Sequence, residues 1–297
     1  MDSKKILSVG SIAYDSIYTP NGDREHMLGG SATFFGIASS FFTNVSLIGV
    51  VGDDFTKESW EIFKKFNIDT SSIEKAKGNT FSWGGKYNND YSIRETLFTE
   101  LGVFENFKPQ INNTYVNPIL YLGNIQPELQ LDVINKVESP HLIAADTMNL
   151  WIDLFPEDVW KLISKVNIFL INDEEAMQLT GEHNLNKISD IFLQKGANIV
   201  VIKKGSKGSL LAHDRKKINI GVVPDVNVVD PTGAGDSFAG GMLGYIAING
   251  LNNLIESILY GTVVASYTVS GFGIDKLSKL NYSLIKSIIK KIDHKIC

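Results

Sequence analysis

The chain has little of what several protein classes require. Its only cysteine is Cys297, so it cannot form an intramolecular disulfide, which fits a reducing compartment. Its 28 basic and 33 acidic residues give a net charge of −5, whereas a general nucleic-acid binder needs a basic surface. Its five histidines are scattered and form no cluster with metal-ligand spacing. We therefore expect neither a disulfide-stabilised protein nor a nucleic-acid-binding protein.

Long hydrophobic runs are also scarce. The N-terminal stretch MDSKKILSVGSIAYDS lacks the apolar core of a signal peptide. Residues 237–255 and 257–274 carry no charge and are long enough to cross a membrane, but both contain glycines and polar residues. The mean hydropathy of the chain is +0.01, which favours buried core helices. The sequence accordingly predicts a cytoplasmic protein with no membrane partner.

Several nucleotide-binding and hydrolase motifs are absent as well. Gly85-Lys86 is followed by tyrosine, and Thr80 stands where a Walker A motif needs its first glycine. Phe238 occupies the last glycine position of a G-x-G-x-x-G pattern that would begin at Gly233. The G-x-S-x-G motif of many hydrolases is also missing. Neither a P-loop nucleotidase nor a dinucleotide-dependent dehydrogenase is supported.

The sequence does contain a regular alternation of strand-length apolar runs with helical patterns. This rhythm is typical of a mostly parallel sheet covered by helices, so the predicted class is α/β. The predicted strands are 5–10, 45–51, 119–122, 142–146, 168–171 and 199–203, and the predicted helices are 31–42, 54–66, 129–137, 156–165, 173–179, 188–195 and 285–296.

Two segments interrupt this alternation. Residues 80–87 and 91–99 are predicted to be strands joined by the turn signal Asn88-Asn89-Asp90, and residues 12–19 are predicted to be a further strand. These pieces are too few to build a second core. We expect one domain, residues 1–297, with a small β-sheet lid built from about 12–20 and 79–100.

The most informative motif is DPTGAGDSFAGG at residues 230–241. The amides of Gly233, Ala234 and Gly235 can face one concavity at a predicted helix N-terminus, a geometry that binds phosphate. Asp236 would repel phosphate as a ligand, and it is better placed as a general base for a hydroxyl that attacks the phosphate. The alternative is structural, with Asp236 as the N-cap of an ordinary helix.

Two further motifs lie near the N-terminus of the chain. Asp15 follows the first predicted strand, and in open α/β sheets ligands bind beyond the carboxyl ends of the strands. It could accept hydrogen bonds from two ligand hydroxyls, or it could cap a turn. Gly29 and Gly30 allow a close backbone approach, and Ser31 could either contact a ligand or cap the following helix.

Two more motifs follow predicted strands in the second half of the chain. Asn172 and Glu175 could organise Mg²⁺ and its waters near phosphates, or they could form a helix capping box. Lys203, Gly205 and Gly208 belong to KKGSKGS, a turn that could lie against a nucleotide or simply join two strands of a hairpin.

These motifs occur together, in this order, in one family. VGSIAYD, GGSA, GVVGDDF, NDEEA, KKGSKGS and DPTGAGDSFAGG resemble the ribokinase-like (PfkB) carbohydrate kinases, and the resemblance spans nearly the whole chain. It implies a three-layer α/β core with a β lid, and transfer of the γ-phosphoryl group of ATP to a hydroxyl of a small sugar-like acceptor.

The resemblance also assigns roles to individual residues. It implies that Asp236 is the base, that residues 233–235 form the anion hole, and that Asp15, Gly29, Gly30 and Ser31 bind the acceptor. It places Asn172 and Glu175 in the Mg²⁺–phosphate network and puts Lys203, Gly205 and Gly208 beside the nucleotide. Asp230 and Thr232 match positions that hold a monovalent cation, K⁺, in some members. Some members also form homodimers by pairing their lids, which leaves a lid-mediated homodimer open here.

The chain departs from the ribokinase pattern on the acceptor side. Ala13 replaces an asparagine, and Phe34 appears where another polar sugar contact is expected. If Phe34 or Trp83 faces the site, the acceptor would carry a flat base or an apolar group. A nucleoside kinase is therefore the alternative to a sugar kinase. A phosphosugar kinase would need a basic lid residue, for which Lys86 and Arg94 are candidates, and a catalytically silent nucleotide-binding protein is the remaining alternative.

Overall fold

The fold is described from a computed structural model that covers residues 4–91, 93–111 and 115–296. The strands are β1 (Ile6–Val9), β2 (Ala13–Thr19), β3 (Gly22–Gly29), β4 (Val45–Val51), β5 (Asp69–Lys75), β6 (Phe81–Tyr87), β7 (Arg94–Glu100), β8 (Ile119–Leu122), β9 (Leu142–Ala145), β10 (Ile168–Asn172), β11 (Ile199–Lys203), β12 (Ser209–His213) and β13 (Lys216–Ile220). The helices are α1 (Ser31–Ser40), α2 (Lys57–Lys65), α3 (Pro127–Lys136), α4 (Asn149–Leu154), α5 (Pro156–Ile163), α6 (Asp173–Thr180), α7 (Leu185–Lys195), α8 (Ala234–Asn249), α9 (Leu254–Val269) and α10 (Tyr282–Ile296).

The large sheet has the strand order β13-β12-β11-β10-β9-β8-β1-β4-β5 in the part of the chain that the structure describes. Its strands pair in parallel except at the β11–β12 and β12–β13 pairs, which are antiparallel. One face packs against α1, α8, α9 and α10, and the other against α3, α5, α6 and α7. Strands covered on both faces read as continuous apolar runs, as β4 does, and every residue of β4 is buried. The predicted three-layer α/β core is confirmed.

Most predicted elements agree with the structure to within a few residues, and β4, β8 and β11 have the predicted bounds. One difference is α2, which begins at Lys57, three residues after its predicted start. Thr56 caps this helix by accepting a hydrogen bond from the Ser59 amide. Asp54 is unavailable for the helix because its Oδ1 accepts hydrogen bonds from the Thr80 amide and hydroxyl, at 2.7 and 2.6 Å.

A separate four-stranded sheet has the order β3-β2-β6-β7. The sequence predicted β2, β6 and β7, but it did not predict β3. This edge strand carries Asp23, Arg24, Glu25 and His26 in succession and is exposed over that stretch, so it lacks the alternation that identifies a half-buried strand. The small sheet therefore contains residues 22–29 in addition to strands from the two predicted segments, 12–20 and 79–100.

The small sheet lies against the loops beside the N-terminus of α8. The Tyr87 hydroxyl is 3.1 Å from the Thr232 hydroxyl, and the Asn21 side-chain amide donates to the Val228 carbonyl at 2.9 Å. Ile17 and Tyr87 of the sheet share an apolar cluster with Phe272. The sheet therefore stands close to the strand ends, where the sequence motifs converge.

The two long uncharged segments form α8 and most of α9, and both helices are largely buried in the core. Within the described residues, no helix combines the length and the apolar character needed to span a membrane.

Candidate active site

The phosphate-binding turn predicted from the sequence lies at the N-terminus of α8. Gly233 caps the helix with a left-handed backbone, φ +72°. The Ala234 amide donates to the Pro231 carbonyl at 3.2 Å, whereas the amides of Gly233 and Gly235 have no acceptor among the described residues. Unpaired amides at a helix N-terminus attract an anion. Two of the three predicted amides are therefore available to a ligand.

Phe34 explains why residue 233 is glycine. Its side chain is 1% exposed, and a Cβ placed on Gly233 would lie 2.4 Å from the Phe34 ring. The ring thus supports the turn from the core side and does not line an acceptor pocket. The hypothesis that Phe34 faces the site is not supported by this packing.

Asp236 is the third residue of α8, not its N-cap, so the capping alternative does not describe this residue. Burial and the negative charge of Asp146 raise the pKa of its carboxyl group, Lys203 opposes them, and the resulting pKa is about 7. A general base works best when its pKa is near the working pH. The environment of Asp236 therefore suits proton abstraction from a hydroxyl.

We expect this pKa to appear in the pH dependence of catalysis. The base must be deprotonated, and Asp15 must be ionised to bind the acceptor, so kcat/KM should rise at least about tenfold per pH unit up to roughly pH 7 and then level off. The measurement is initial rate against pH between 5.5 and 8.5 at subsaturating acceptor, with circular dichroism showing that the protein stays folded. An acid limb centred near pH 4, the ordinary carboxyl range, would contradict the buried environment of Asp236.

Asp15 lies across the site on β2 and is 5% exposed. Its Oδ2 accepts a weak hydrogen bond from the Gly30 amide at 3.4 Å. Burial raises the pKa of Asp15, the Gly30 hydrogen bond lowers it, the charges of Asp230 and Asp236 raise it, and the resulting pKa is about 7. The three carboxylates are therefore near one another. A Cβ on Gly29 would lie 1.9 Å from the Asp15 carboxylate oxygen. Glycine at position 29 therefore leaves room for this carboxylate.

Ser31 is occupied by a reciprocal contact with Ser11. Each backbone amide donates to the hydroxyl of the other residue, at 3.0 and 3.1 Å, and the two hydroxyls are 3.2 Å apart. Gly30 has φ +89°, and a Cβ there would lie 2.5 Å from the Ser11 carbonyl oxygen. This contact fixes the start of α1 against the connection between β1 and β2. Ser31 consequently supports the connection that leads into β2, the strand that carries Asp15.

Asp230 and Thr232 form a compact turn beside Asp236. Asp230 is 1% exposed, and its two carboxylate oxygens accept the amides of Thr232 and Gly273 at 2.9 and 3.0 Å. Burial raises the pKa of Asp230. None of the described lysines and arginines forms an ion pair with it. A buried carboxylate without a protein cation fits a nearby monovalent cation.

Asn172 and Glu175 form a complete capping box at the start of α6. The Asn172 side chain accepts the Glu175 amide at 2.7 Å, and Glu175 Oε2 accepts the Asn172 amide at 3.1 Å. Burial raises the pKa of Glu175 and the charge of Lys203 lowers it, and the resulting pKa is about 7. The predicted capping box is therefore present. It uses only one carboxylate oxygen of Glu175, because Oε1 has no hydrogen-bond partner among the described residues.

The described residues contain no group of three or more histidine, cysteine, aspartate or glutamate side chains that could enclose a metal ion. Mg²⁺ bound to a nucleotide keeps several waters and is held mainly by the phosphates, so a single protein carboxylate with a free oxygen, such as Glu175, is enough to contact its waters. Glu175 is thus suited to the indirect role predicted from the sequence.

Lys203 ends β11 and forms an ion pair that the sequence analysis missed. Its Nζ donates to Asp146 Oδ2 at 2.5 Å, and both side chains are largely buried. Asp146 directly follows β9, so its position at a strand end was the available signal. A Cβ on Gly235 would lie 3.1 Å from Lys203 Nζ. The ammonium group therefore lies beside the phosphate-binding turn.

Gly205 and Gly208 lie in the turn between β11 and β12, so this segment is indeed a hairpin. Both residues have left-handed backbones, with φ of +54° and +82°, and a Cβ on Gly208 would lie 2.0 Å from the Ile220 carbonyl oxygen. The hairpin leaves from the same sheet edge as Lys203 and Asn172, which pair across β10 and β11.

One face of the small sheet carries Asp15. Trp83 pairs in register with Asp15, so the two side chains lie on the same face, and its ring lies across Gly85. The Arg94 guanidinium is 5.4 Å from the centre of the Trp83 ring and lowers the pKa of Glu175. Lys86 alternates to the opposite face of β6 and is exposed. Of the two basic candidates, only Arg94 is near the site.

The comparisons with known proteins agree with this geometry. The family model "pfkB family carbohydrate kinase" matches residues 3–279. The chain is 29% identical to the cytidine kinase of Thermococcus kodakarensis over 80% of this chain and 87% of that protein. It is 25% identical to the nucleoside kinase of Methanocaldococcus jannaschii over 91% of this chain and 92% of that protein.

Solved structures share the fold. The crystal structure of the M. jannaschii nucleoside kinase, a member of the ribokinase family, has a TM-score of 0.80 at 23% identity and covers 98% of this chain and 100% of its own. Aminoimidazole riboside kinase from Salmonella enterica, crystallised with aminoimidazole riboside and an ATP analog, has a TM-score of 0.75 at 18% identity, with coverages of 96% and 99%.

Proposed function

Because the chain belongs to the pfkB family of carbohydrate kinases, which transfer a phosphoryl group to a hydroxyl group, we propose that it phosphorylates a nucleoside with ATP. The observation that supports this acceptor is the Trp83–Arg94 layer on the face of the small sheet that carries Asp15. A nucleoside offers a ribose diol for Asp15 and a planar base for this layer.

The proposed reaction begins with a hydroxyl held between Asp15 and Asp236. Asp236 accepts its proton while the hydroxyl oxygen forms a bond to the γ-phosphorus of ATP and the bond to the bridging oxygen of ADP breaks. The free amides of Gly233 and Gly235 donate to the oxygens of the transferred group. These groups are already in place before the reaction, so little reorganisation is needed.

Two cations and one turn complete the phosphate side of the proposed site. Mg²⁺, when bound with the nucleotide, would neutralise phosphate charge, and Glu175 and Asn172 would hold it through water. The turns at Gly205 and Gly208 would border the nucleotide. Asp230 and Thr232 would help to hold K⁺, which would compensate the buried negative charge beside the anion hole.

The charges around Asp15 favour an uncharged acceptor over a phosphosugar. Asp15, Asp230 and Asp236 are close enough for the charges of the last two to raise the pKa of the first. A phosphorylated acceptor would meet this negative cluster, and Lys86 lies on the other face of its sheet. Arg94 is the nearby cation, and its guanidinium already packs on Trp83. A neutral ribose with a flat base fits these surroundings better.

A panel of acceptors tests the proposed function. ADP release would be measured with cytidine, adenosine, inosine, ribose, fructose and fructose 6-phosphate, each against hydrolysis without acceptor. Turnover of nucleosides alone would support the proposal, and turnover of free sugars or phosphosugars alone would overturn it. No turnover with any acceptor would favour the catalytically silent alternative.

Trp83→Ala is expected to weaken use of a nucleoside. Stacking of a base on an aromatic side chain contributes about 1–3 kcal/mol, so KM should rise roughly 5- to 150-fold with a smaller change in kcat. The matched control is Trp160→Ala, since Trp160 is a half-buried tryptophan of α5 that packs on the core of the large sheet. An unchanged nucleoside KM in Trp83→Ala would contradict stacking at this position.

We also propose that the small sheet serves as the lid and pairs with that of a second copy. Its outward side exposes Leu97 and Phe98, 45% and 36% exposed, on the edge strand β7. An unpaired, partly apolar edge strand is suited to association. Sedimentation equilibrium of the whole chain tests this arrangement, and a monomer at micromolar concentration would contradict it.

A further inference from the structure

The ammonium group of Lys203 occupies an unusual position. It lies beside Gly235 at the N-terminus of the 16-residue helix α8, where a Cβ on Gly235 would be 3.1 Å from Nζ. The N-terminus of a helix carries partial positive charge and favours anions, so a cation there is unfavourable unless negative charge accompanies it. Asp146 supplies that charge in the absence of a ligand.

Asp146 is held rigidly enough to act as a fixed support. Its Oδ1 accepts the Thr147 amide at 2.9 Å, and its Oδ2 accepts Lys203. Its backbone amide donates to the Leu122 carbonyl at 3.0 Å, and its carbonyl accepts from the buried Gln130 side chain at 2.9 Å. With both carboxylate oxygens engaged, Asp146 is better placed to position a cation than to bind a metal.

Lys203 retains hydrogen-bonding capacity toward a ligand. An ammonium group has three donors, and Asp146 is its one hydrogen-bond acceptor among the described residues. Glu175 and Asp236 are also close enough for Lys203 to lower the pKa of both. The two remaining N–H donors of Lys203 are therefore close to Asp236, to Glu175 and to the turn at Gly235.

We propose that Lys203 is a catalytic residue whose ammonium group contacts the transferring phosphoryl group, and that Asp146 is the positioning residue that holds it beside Gly235. This inference rests on the proposed phosphotransfer but not on the identity of the acceptor. It goes beyond a lysine that merely borders the nucleotide, because it places the ammonium at the group that moves.

Lys203→Met tests the proposal by separating the γ-phosphate from the rest of the nucleotide. We expect kcat to fall about 10²–10³-fold, as for loss of one fixed donor at a developing charge. Calorimetry without acceptor should show the Kd of a non-hydrolysable ATP analogue rising about tenfold while the Kd of ADP changes less than about twofold. The matched control is Lys217→Met, because Lys217 also forms an ion pair with a carboxylate, that of Asp190, but lies outside the turn.

Further variants address positioning and folding. Lys203→Arg should recover part of the ATP-analogue affinity because it keeps the charge. Asp146→Asn should weaken the ATP analogue more than ADP, because the ammonium is no longer held beside the turn. If Lys203→Met does not fold, the Asp146→Asn/Lys203→Met double variant removes both charges of the ion pair and should show the same ATP-analogue defect.

The results that overturn the proposal are equally defined. A folded Lys203→Met protein that keeps kcat within about threefold would overturn it. Equal losses of affinity for ADP and for the ATP analogue would also overturn it, because they would indicate that the ion pair has only a structural role. If nucleosides fail as acceptors but the ATP analogue and ADP still separate, the nucleoside assignment falls and the role of Lys203 stands.

Discussion

Asp236→Asn is expected to reduce kcat about 10²–10⁴-fold, the range typical of losing a general base. Asparagine has nearly the same shape but cannot accept the hydroxyl proton. The position is buried and the carboxylate is poorly solvated there, as its raised pKa shows. The neutral amide should therefore leave the fold intact, and the melting temperature at pH 8 should not fall.

The measurement combines single-turnover kinetics with calorimetry. ATP should still bind Asp236→Asn, because the amides of Gly233 and Gly235 and the Lys203 ammonium remain in place. Asp158→Asn, on the surface of α5, is the matched control for a carboxylate-to-amide change elsewhere. Near-normal turnover in Asp236→Asn would exclude this residue as the base, and loss of ATP binding would show that the substitution had damaged the turn.

Asp15→Asn should have the second largest effect, and it should act on the acceptor alone. A hydrogen bond to a charged group contributes about 1.5–3 kcal/mol, so losing a carboxylate that accepts two hydroxyls should lower kcat/KM about 10²–10⁴-fold. Affinity for the ATP analogue should not change, because Asp15 lies on β2 of the small sheet, away from Lys203 and Glu175 on the phosphate side.

Gly29→Ala provides an independent test of the same contact. A Cβ at this position would lie 1.9 Å from Asp15 Oδ2 and would force the carboxylate to move. We expect the same direction of change in kcat/KM, with the melting temperature showing that the variant stays folded. If Asp15→Asn kept its kcat/KM within about threefold, the acceptor would have to bind elsewhere.

The two substitutions should be distinguishable by substrate. Asp236→Asn removes the chemical step for every acceptor, whereas Asp15→Asn should penalise acceptors in proportion to the hydroxyls that they present to it. Comparing ribonucleosides with their 2′- and 3′-deoxy analogues would separate these effects. An Asp15→Asn defect that is equal for all analogues would contradict recognition of a diol.

The sequence predicted more of the site than of its surroundings. The turn at residues 230–236 and the Asn172–Glu175 pair are local patterns, and both occur in the structure where the sequence predicted them. Asp15 differs, because it lies within β2 of the small sheet and not directly at the end of β1. β3 was missed because an exposed edge strand has no requirement for alternating apolar residues. The acceptor was left open because its proposed contacts lie on the small sheet and on α8, which are far apart in the sequence.

Contacts between distant segments account for what the sequence could not show. Lys203 and Asp146 are 57 residues apart, and only the parallel order of β9, β10 and β11 brings their strand ends together. Phe34 and Trp83 were equivalent candidates as aromatic residues. Packing directed one beneath Gly233, and strand register placed the other on the face of Asp15.

By itself, the sequence determined the phosphate chemistry, because the glycine turn, the helix start and the carboxylate that follows it lie within seven consecutive residues. Tertiary structure decided which side chains surround that turn. Burial and the neighbouring charges of Asp146 and Lys203 set the pKa of Asp236, and the register of β2 and β6 placed Trp83 beside Asp15. Electrostatic fields and sheet register depend on the whole fold, and no local pattern encodes them.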